Sequence, residues 1–128
     1  MTAVIWLVCG TLLSGCVPFV DVVKMDKVSL EQRASTAKVQ VFPSGMYHSE
    51  KFDFVGPVEG YSCKHLTTDK PASESDATEQ MRYKAMLMGA NAVMDYSCTK
   101  NGTDTLGTNC WNTVQCGGTA ILIKDGQP

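Results

Sequence analysis

The placement of six cysteines among 128 residues restricts this chain more than any other feature of its sequence. Cys9 lies inside an apolar N-terminal run, and Cys16 closes the tetrapeptide Leu13-Ser14-Gly15-Cys16. The other four, Cys63, Cys98, Cys110 and Cys116, all fall in the C-terminal half. An even set of four makes two disulfides, which persist in oxidising compartments and are rare where glutathione keeps thiols reduced. Four cysteines allow three pairings, and geometry disfavours Cys110 with Cys116. Six residues of extended strand hold their ends about 20 Å apart, whereas bridged Cα atoms stand roughly 4.4–6.8 Å apart. Cys63–Cys110 with Cys98–Cys116, and Cys63–Cys116 with Cys98–Cys110, both stay open on spacing alone.

Residues 1–15 carry no charge, and residues 4–13 are almost wholly apolar. The run is shorter than the about 20 apolar residues that span a bilayer. It has the length of a signal-peptide hydrophobic region and ends in small residues, as at a cleavage point. Leu13-Ser14-Gly15-Cys16 matches the bacterial lipobox, in which a peptidase cuts before a cysteine whose thiol already carries diacylglycerol. Residues 1–15 are therefore expected to be a lipoprotein signal peptide. Cys16 is the expected lipidation site, holding diacylglycerol and an N-acyl chain, and two or more such chains anchor stably. Val17, rather than Asp, follows the cysteine, which by the Gram-negative sorting rule directs a lipoprotein to the outer membrane. The domain would then face the periplasm. The run lacks the Lys or Arg that such signals carry, as a start codon set downstream of the true one would produce. A chance match inside a secretory signal or core helix is the competing reading. Position, apolar run, small residues and an even remainder of cysteines all weigh against it.

The formal net charge is −2 and no block of like charge occurs, so nothing points to nucleic acid or an anionic surface. The length fits one domain. Residues 16–37 read as the lipidated cysteine and a tether, with a short helical stretch over 27–35. Residues 38–126 read as the folded domain, whose core is marginal at that size, so two bridges have a thermodynamic role.

Within that domain, Lys38-Val39-Gln40-Val41-Phe42 alternates and stops at Pro43, as a short strand does. Residues 52–62 form a second strand, and Gly56-Pro57 within it marks a bulge or an edge. Asp76 with Glu79 three residues on makes a capping-box-like helix start. Ala77, Met81, Ala85 and Met88 give one apolar stripe, and Gly89 sits where a left-handed C′ residue is expected. Residues 91–98 form a third strand. Residues 110–123 finish the domain as one long or two short strands, with Gly117-Gly118 as a bend. The order β-β-α-β-β describes an α+β domain, one helix on a mostly antiparallel four-stranded sheet.

Several motifs resemble the RcsF-like family of Rcs stress-sensor lipoproteins. They are Val39-Gln40-Val41-Phe42, Gly60-Tyr61-Ser62-Cys63, and Gly89-Ala90-Asn91-Ala92-Val93 leading to Tyr96-Ser97-Cys98. The last is Cys110-x5-Cys116-Gly117-Gly118-Thr119-Ala120. The resemblance covers residues 38–125 and the lipobox, and the four-cysteine pattern is its most specific part. It implies an outer-membrane lipoprotein that senses envelope stress, with disulfides Cys63–Cys110 and Cys98–Cys116. As partners it implies the barrel assembly machinery and barrel porins, and an inner-membrane repressor (IgaA-like) whose contact releases the Rcs phosphorelay. Here the tether departs from the family pattern. It is short and has one proline, Pro18, whereas the family's linker is long, proline-rich and basic.

Catalysis has little support. Neither His48 nor His65 stands in a Ser/His/Asp or HExxH context, and no CxxC is present. Cys63-Lys64-His65 is a fragment of a metal site, but zinc needs three or four converging ligands. With Cys63 taken by a bridge, no metal site is expected and His65 reads as a surface loop residue. Met81, Met86 and Met88 share a helix with alanines and read as core and near-core residues rather than as a copper-binding box. Trp111 and Tyr61 serve either as partner contacts or as packing against a bridge. The chain is thus expected to be no enzyme and to take no small-molecule substrate or cofactor beyond its lipid. A sensor, or a structural lipoprotein of the same fold without a signalling role, are the two remaining functions.

Overall fold

Lys38 does not mark the start of ordered structure: the polypeptide is already folded a dozen residues upstream. The computed structural model describes residues 22–46, 51–103 and 110–124. The signal peptide, Cys16, Val17, Pro18 and His48 lie outside the described residues. A 3-10 turn at Met25–Lys27 leads to helix α1, Leu30–Ala37. Ser29 caps α1 by accepting from the Gln32 backbone N–H, satisfying one of the donors a helix start leaves orphaned. Thr36 on α1 is buried; its hydroxyl donates to the Gln32 carbonyl and lies 3.8 Å from Met86 Sδ. The segment expected to be tether is therefore part of the domain from the 3-10 turn onward.

Strands β1 (Gln40–Pro43), β2 (Phe52–Lys64), β3 (Ala92–Asn101) and β4 (Asn112–Ile123) form one sheet in the order β1-β3-β4-β2. β4 runs antiparallel to both β2 and β3, while β1 lies parallel to β3. Two of the three pairings are antiparallel, and β4 is the strand that runs against the other three. Gly56-Pro57 meets both expectations for it, since β2 is an edge strand and its register shifts between Phe54 and Gly56. Gly117-Gly118 is no bend. β4 passes straight through, and the kink sits opposite in β3, where the register shifts between Met94 and Ser97 and Asp95 adopts φ +55°. Gly118 accommodates that bulge, because a β-carbon there would stand 2.6 Å from the Met94 carbonyl oxygen.

Helix α2, Glu74–Leu87, crosses one face of the sheet. Its cap is Ser73, which accepts from the Asp76 backbone N–H, so the helix begins one turn before the expected Asp76. Ser73 and Asp76 have the same three-residue spacing as Asp76 and Glu79. Ala77, Met81 and Ala85 are fully buried on the stripe. Met88 is not on it: it is the C-cap residue and 41% exposed. Gly89 follows at φ +85°, the left-handed conformation that ends a helix without a β-carbon penalty. Val58, Val93, Val114, Cys116 and Ala120 complete the core beneath α2.

Candidate functional site

Two disulfides staple this sheet, each joining a buried cysteine to a half-buried one. Cys98 and Cys116 stand directly opposite each other on β3 and β4 and are joined at 2.03 Å. Cys116 is fully buried on the face covered by α2. The Tyr96 hydroxyl lies 2.8 Å from Cys98 Sγ and 2.6 Å from the Thr78 hydroxyl of α2. Thr78 itself reaches within 3.6 Å of Cys116 Sγ. This bridge is thus enclosed by a polar clasp between helix and sheet.

The second bridge joins Cys63, near the end of β2, to Cys110, just before β4, at 1.99 Å. The Trp111 backbone N–H donates to the Lys64 carbonyl at 2.8 Å and holds the two segments side by side. Cys110 is buried, but Cys63 is only half-buried, and the exposed His65 sets Nε2 3.3 Å from Cys63 Sγ. The Asp69 carboxylate accepts from the backbone N–H groups of His65 and Leu66, which fixes the loop bearing the imidazole. Sulfur atoms of Cys63 and Cys110 and a ring nitrogen of His65 all lie within 4.8 Å of one another. His65 is thus a surface loop residue, as its sequence context indicates, and also the neighbour of a bridge.

Trp111 beside this bridge is 60% exposed and, with Lys64, Thr67, Pro71 and Asn112, walls a shallow depression. Tyr61 is half-buried, donates its hydroxyl to Glu59 at 2.7 Å and lies under the Lys84 ammonium. Burial first, then the hydrogen bond and the charge of Glu59, push the Tyr61 phenol up to about 12. Met81 is core and Met86 packs against it, whereas Met88 is exposed. What the sequence did not signal is Gln80, buried at 1% exposure, whose amide ties α2 to β2 and to Val23. A polar residue beside an apolar stripe reads as solvent-facing, and the partner that buries it is nineteen residues away.

Taken together, these features define a small disulfide-stapled α+β domain of an exported protein. The RcsF lipoprotein family model matches residues 19–124, and the chain belongs to that family. The outer membrane lipoprotein RcsF of Escherichia coli strain K12 is 36% identical over 73 residues, 56% of this chain and 52% of that protein. The RcsF of Escherichia coli O6:H1 strain CFT073 matches to the same extent. The chain thus matches about half the length of these relatives. A crystal structure of a DUF74-family protein of unknown function from Pediococcus pentosaceus shares the fold. Its TM-score is 0.50 at 19% identity, covering 67% of this chain and 98% of that one.

Proposed function

We propose that this chain is an outer-membrane lipoprotein, anchored by acyl chains on Cys16, that senses envelope stress and activates the Rcs phosphorelay. Activation proceeds by contact with an IgaA-like inner-membrane repressor, and the barrel assembly machinery and barrel porins are its outer-membrane partners. The observation that carries this reading is the family match over residues 19–124, which takes in the whole described domain and both bridges. The relatives named outer membrane lipoprotein RcsF support it. Among the described residues no helix is long and apolar enough to cross a membrane, which is compatible with attachment by lipid.

Chain length limits where the contact is made. Gln80 holds the Val23 carbonyl, so six residues, or seven Cα–Cα steps, separate Cys16 from Val23. Fully extended, they reach about 25 Å at roughly 3.3–3.6 Å per residue. The domain therefore stays close to the membrane that holds Cys16, and the repressor's periplasmic part meets it there.

Deleting the gene and measuring an Rcs reporter after lipopolysaccharide damage separates this function from a structural one. Loss of induction is expected. Unchanged induction favours the structural lipoprotein. Radiolabelled palmitate incorporation, absent in Cys16→Ala, tests the anchor independently.

A further inference from the structure

We propose that reduction of the Cys63–Cys110 bond turns this corner of the domain into a binding site for Zn²⁺. Its ligands are Cys63 Sγ, Cys110 Sγ and a ring nitrogen of His65, with water in the fourth position. Two thiolates and one imidazole form a known three-ligand zinc set that leaves one coordination site open. In a tetrahedron with Zn–S near 2.3 Å and Zn–N near 2.0 Å, neighbouring ligand atoms stand about 3.5–3.8 Å apart. The three atoms already lie within 4.8 Å of one another, and His65 is 3.3 Å from Cys63. Only the two sulfurs must separate, by under about 2 Å shared between two side chains.

The backbone keeps the ligands together once the bond opens. Trp111 N–H still binds the Lys64 carbonyl, Lys64 still pairs with Asn112 across β2 and β4, and Asp69 still holds the His65 loop. In the other bridge Cys116 is fully buried under α2 and Cys98 half-buried, and the Thr78 and Tyr96 hydroxyls lie against Cys116 Sγ. Of the Cys63–Cys110 pair Cys110 is buried and Cys63 half-buried, so Cys63 is the more accessible sulfur.

The reductant is a dithiol protein, the class that exchanges disulfides through mixed intermediates. Its thiolate attacks Cys63 Sγ, the Cys63–Cys110 bond breaks, and Cys110 leaves as thiolate. Its second thiol then displaces the Cys63 thiolate and closes the donor's own disulfide. The donor loses two electrons and this chain gains them. Zn²⁺ binds the two thiolates, and any protons they carry pass to solvent.

The test takes the full chain in detergent, reduces it with a phosphine until two thiols appear, and titrates it with Zn²⁺ against a chromophoric chelator. Alkylation and mass mapping are expected to place the first two thiols at Cys63 and Cys110. One Zn²⁺ per reduced chain, none on the oxidised chain, and at least tenfold weaker binding by His65→Ala are the expected results. His65→Ala keeps both bridges, so its oxidised form folds normally. Zn²⁺-dependent recovery of native circular dichroism, should reduction loosen the fold, also supports the site. First thiols at Cys98 and Cys116, equal binding by the oxidised chain, no binding by the reduced chain, or wild-type affinity in His65→Ala overturns it.

Discussion

The side-chain carbonyl of Gln80 accepts a 2.7 Å hydrogen bond from the backbone N–H of Tyr61. β2 is an edge strand, so without Gln80 that N–H has no strand to bond on its outer side. The same amide donates to the Val23 carbonyl at 3.2 Å, so one buried side chain joins helix, sheet and N-terminal segment. Gln80→Leu keeps the volume and removes both bonds. It is expected to lower stability by about 1–3 kcal/mol, the cost of a buried polar group left without a partner. Urea denaturation of the oxidised chain measures this, and an unchanged midpoint contradicts the role given to Gln80.

Gly60 is the point where α2 rests on the sheet. A β-carbon there would overlap the Ala77 carbonyl oxygen and the Met81 backbone nitrogen. These are backbone atoms of a packed helix, so they yield only if α2 lifts. Gly60→Ala should cost at least about 1–3 kcal/mol, as overpacking does in tight cores. A melting temperature equal to wild type contradicts this packing.

Loss of either bridge should be felt, the longer loop slightly more. The bonds close 47 residues for Cys63–Cys110 and 18 for Cys98–Cys116. Loop-closure entropy then gives about 4 and about 3 kcal/mol, respectively. Cys98→Ala has a further cost, since it removes the half-buried sulfur that the Tyr96 hydroxyl, itself bonded to Thr78, contacts. Chemical denaturation of Cys63→Ala/Cys110→Ala and Cys98→Ala/Cys116→Ala under oxidising conditions measures both. Wild-type stability in either double variant contradicts the pairing.

Tyr61 gives the fold a dependence on alkaline pH. Its folded pKa is raised to about 12 from the ordinary 10.0. Between those values the unfolded chain releases the phenolic proton and the folded chain keeps it. This contribution to stability is full below pH 10 and is lost as pH rises through about 12. Ultraviolet titration of wild type against Tyr61→Phe should show one phenol ionising near 12. Glu59→Gln removes the neighbouring charge and should lower that midpoint. A Tyr61 midpoint at the ordinary 10.0 contradicts both its burial and its contact with Glu59.

Much of this was legible locally. Alternation at Val39 and Val41, the Gly56-Pro57 interruption and the Ala77-Met81-Ala85 stripe each mark an element through the period of its own side chains. What was not legible depends on partners far along the chain. The local sequence marks residues 91–98 as a strand, but not that β4 lies between it and β2. Spacing disfavoured Cys110–Cys116 but left two pairings open, because choosing between them requires the β3–β4 register that sets Cys98 opposite Cys116. The helical stretch expected over 27–35 falls on α1, but its polar sequence did not show that Thr36 packs near Met86 and ties the helix to the domain. His65 read as a lone loop residue because its meaning comes from a bridge to Cys110, 47 residues beyond Cys63.

The central claim is that the stapled domain, held at the outer membrane by Cys16, transmits envelope damage to the Rcs phosphorelay. The most direct measurement is Rcs reporter output in a deletion strain complemented with the wild-type gene and challenged with lipopolysaccharide damage. The account predicts induction restored by wild type but not by a Cys98→Ala/Cys116→Ala variant. A reporter that stays flat with the wild-type gene present, at normal protein level, contradicts it.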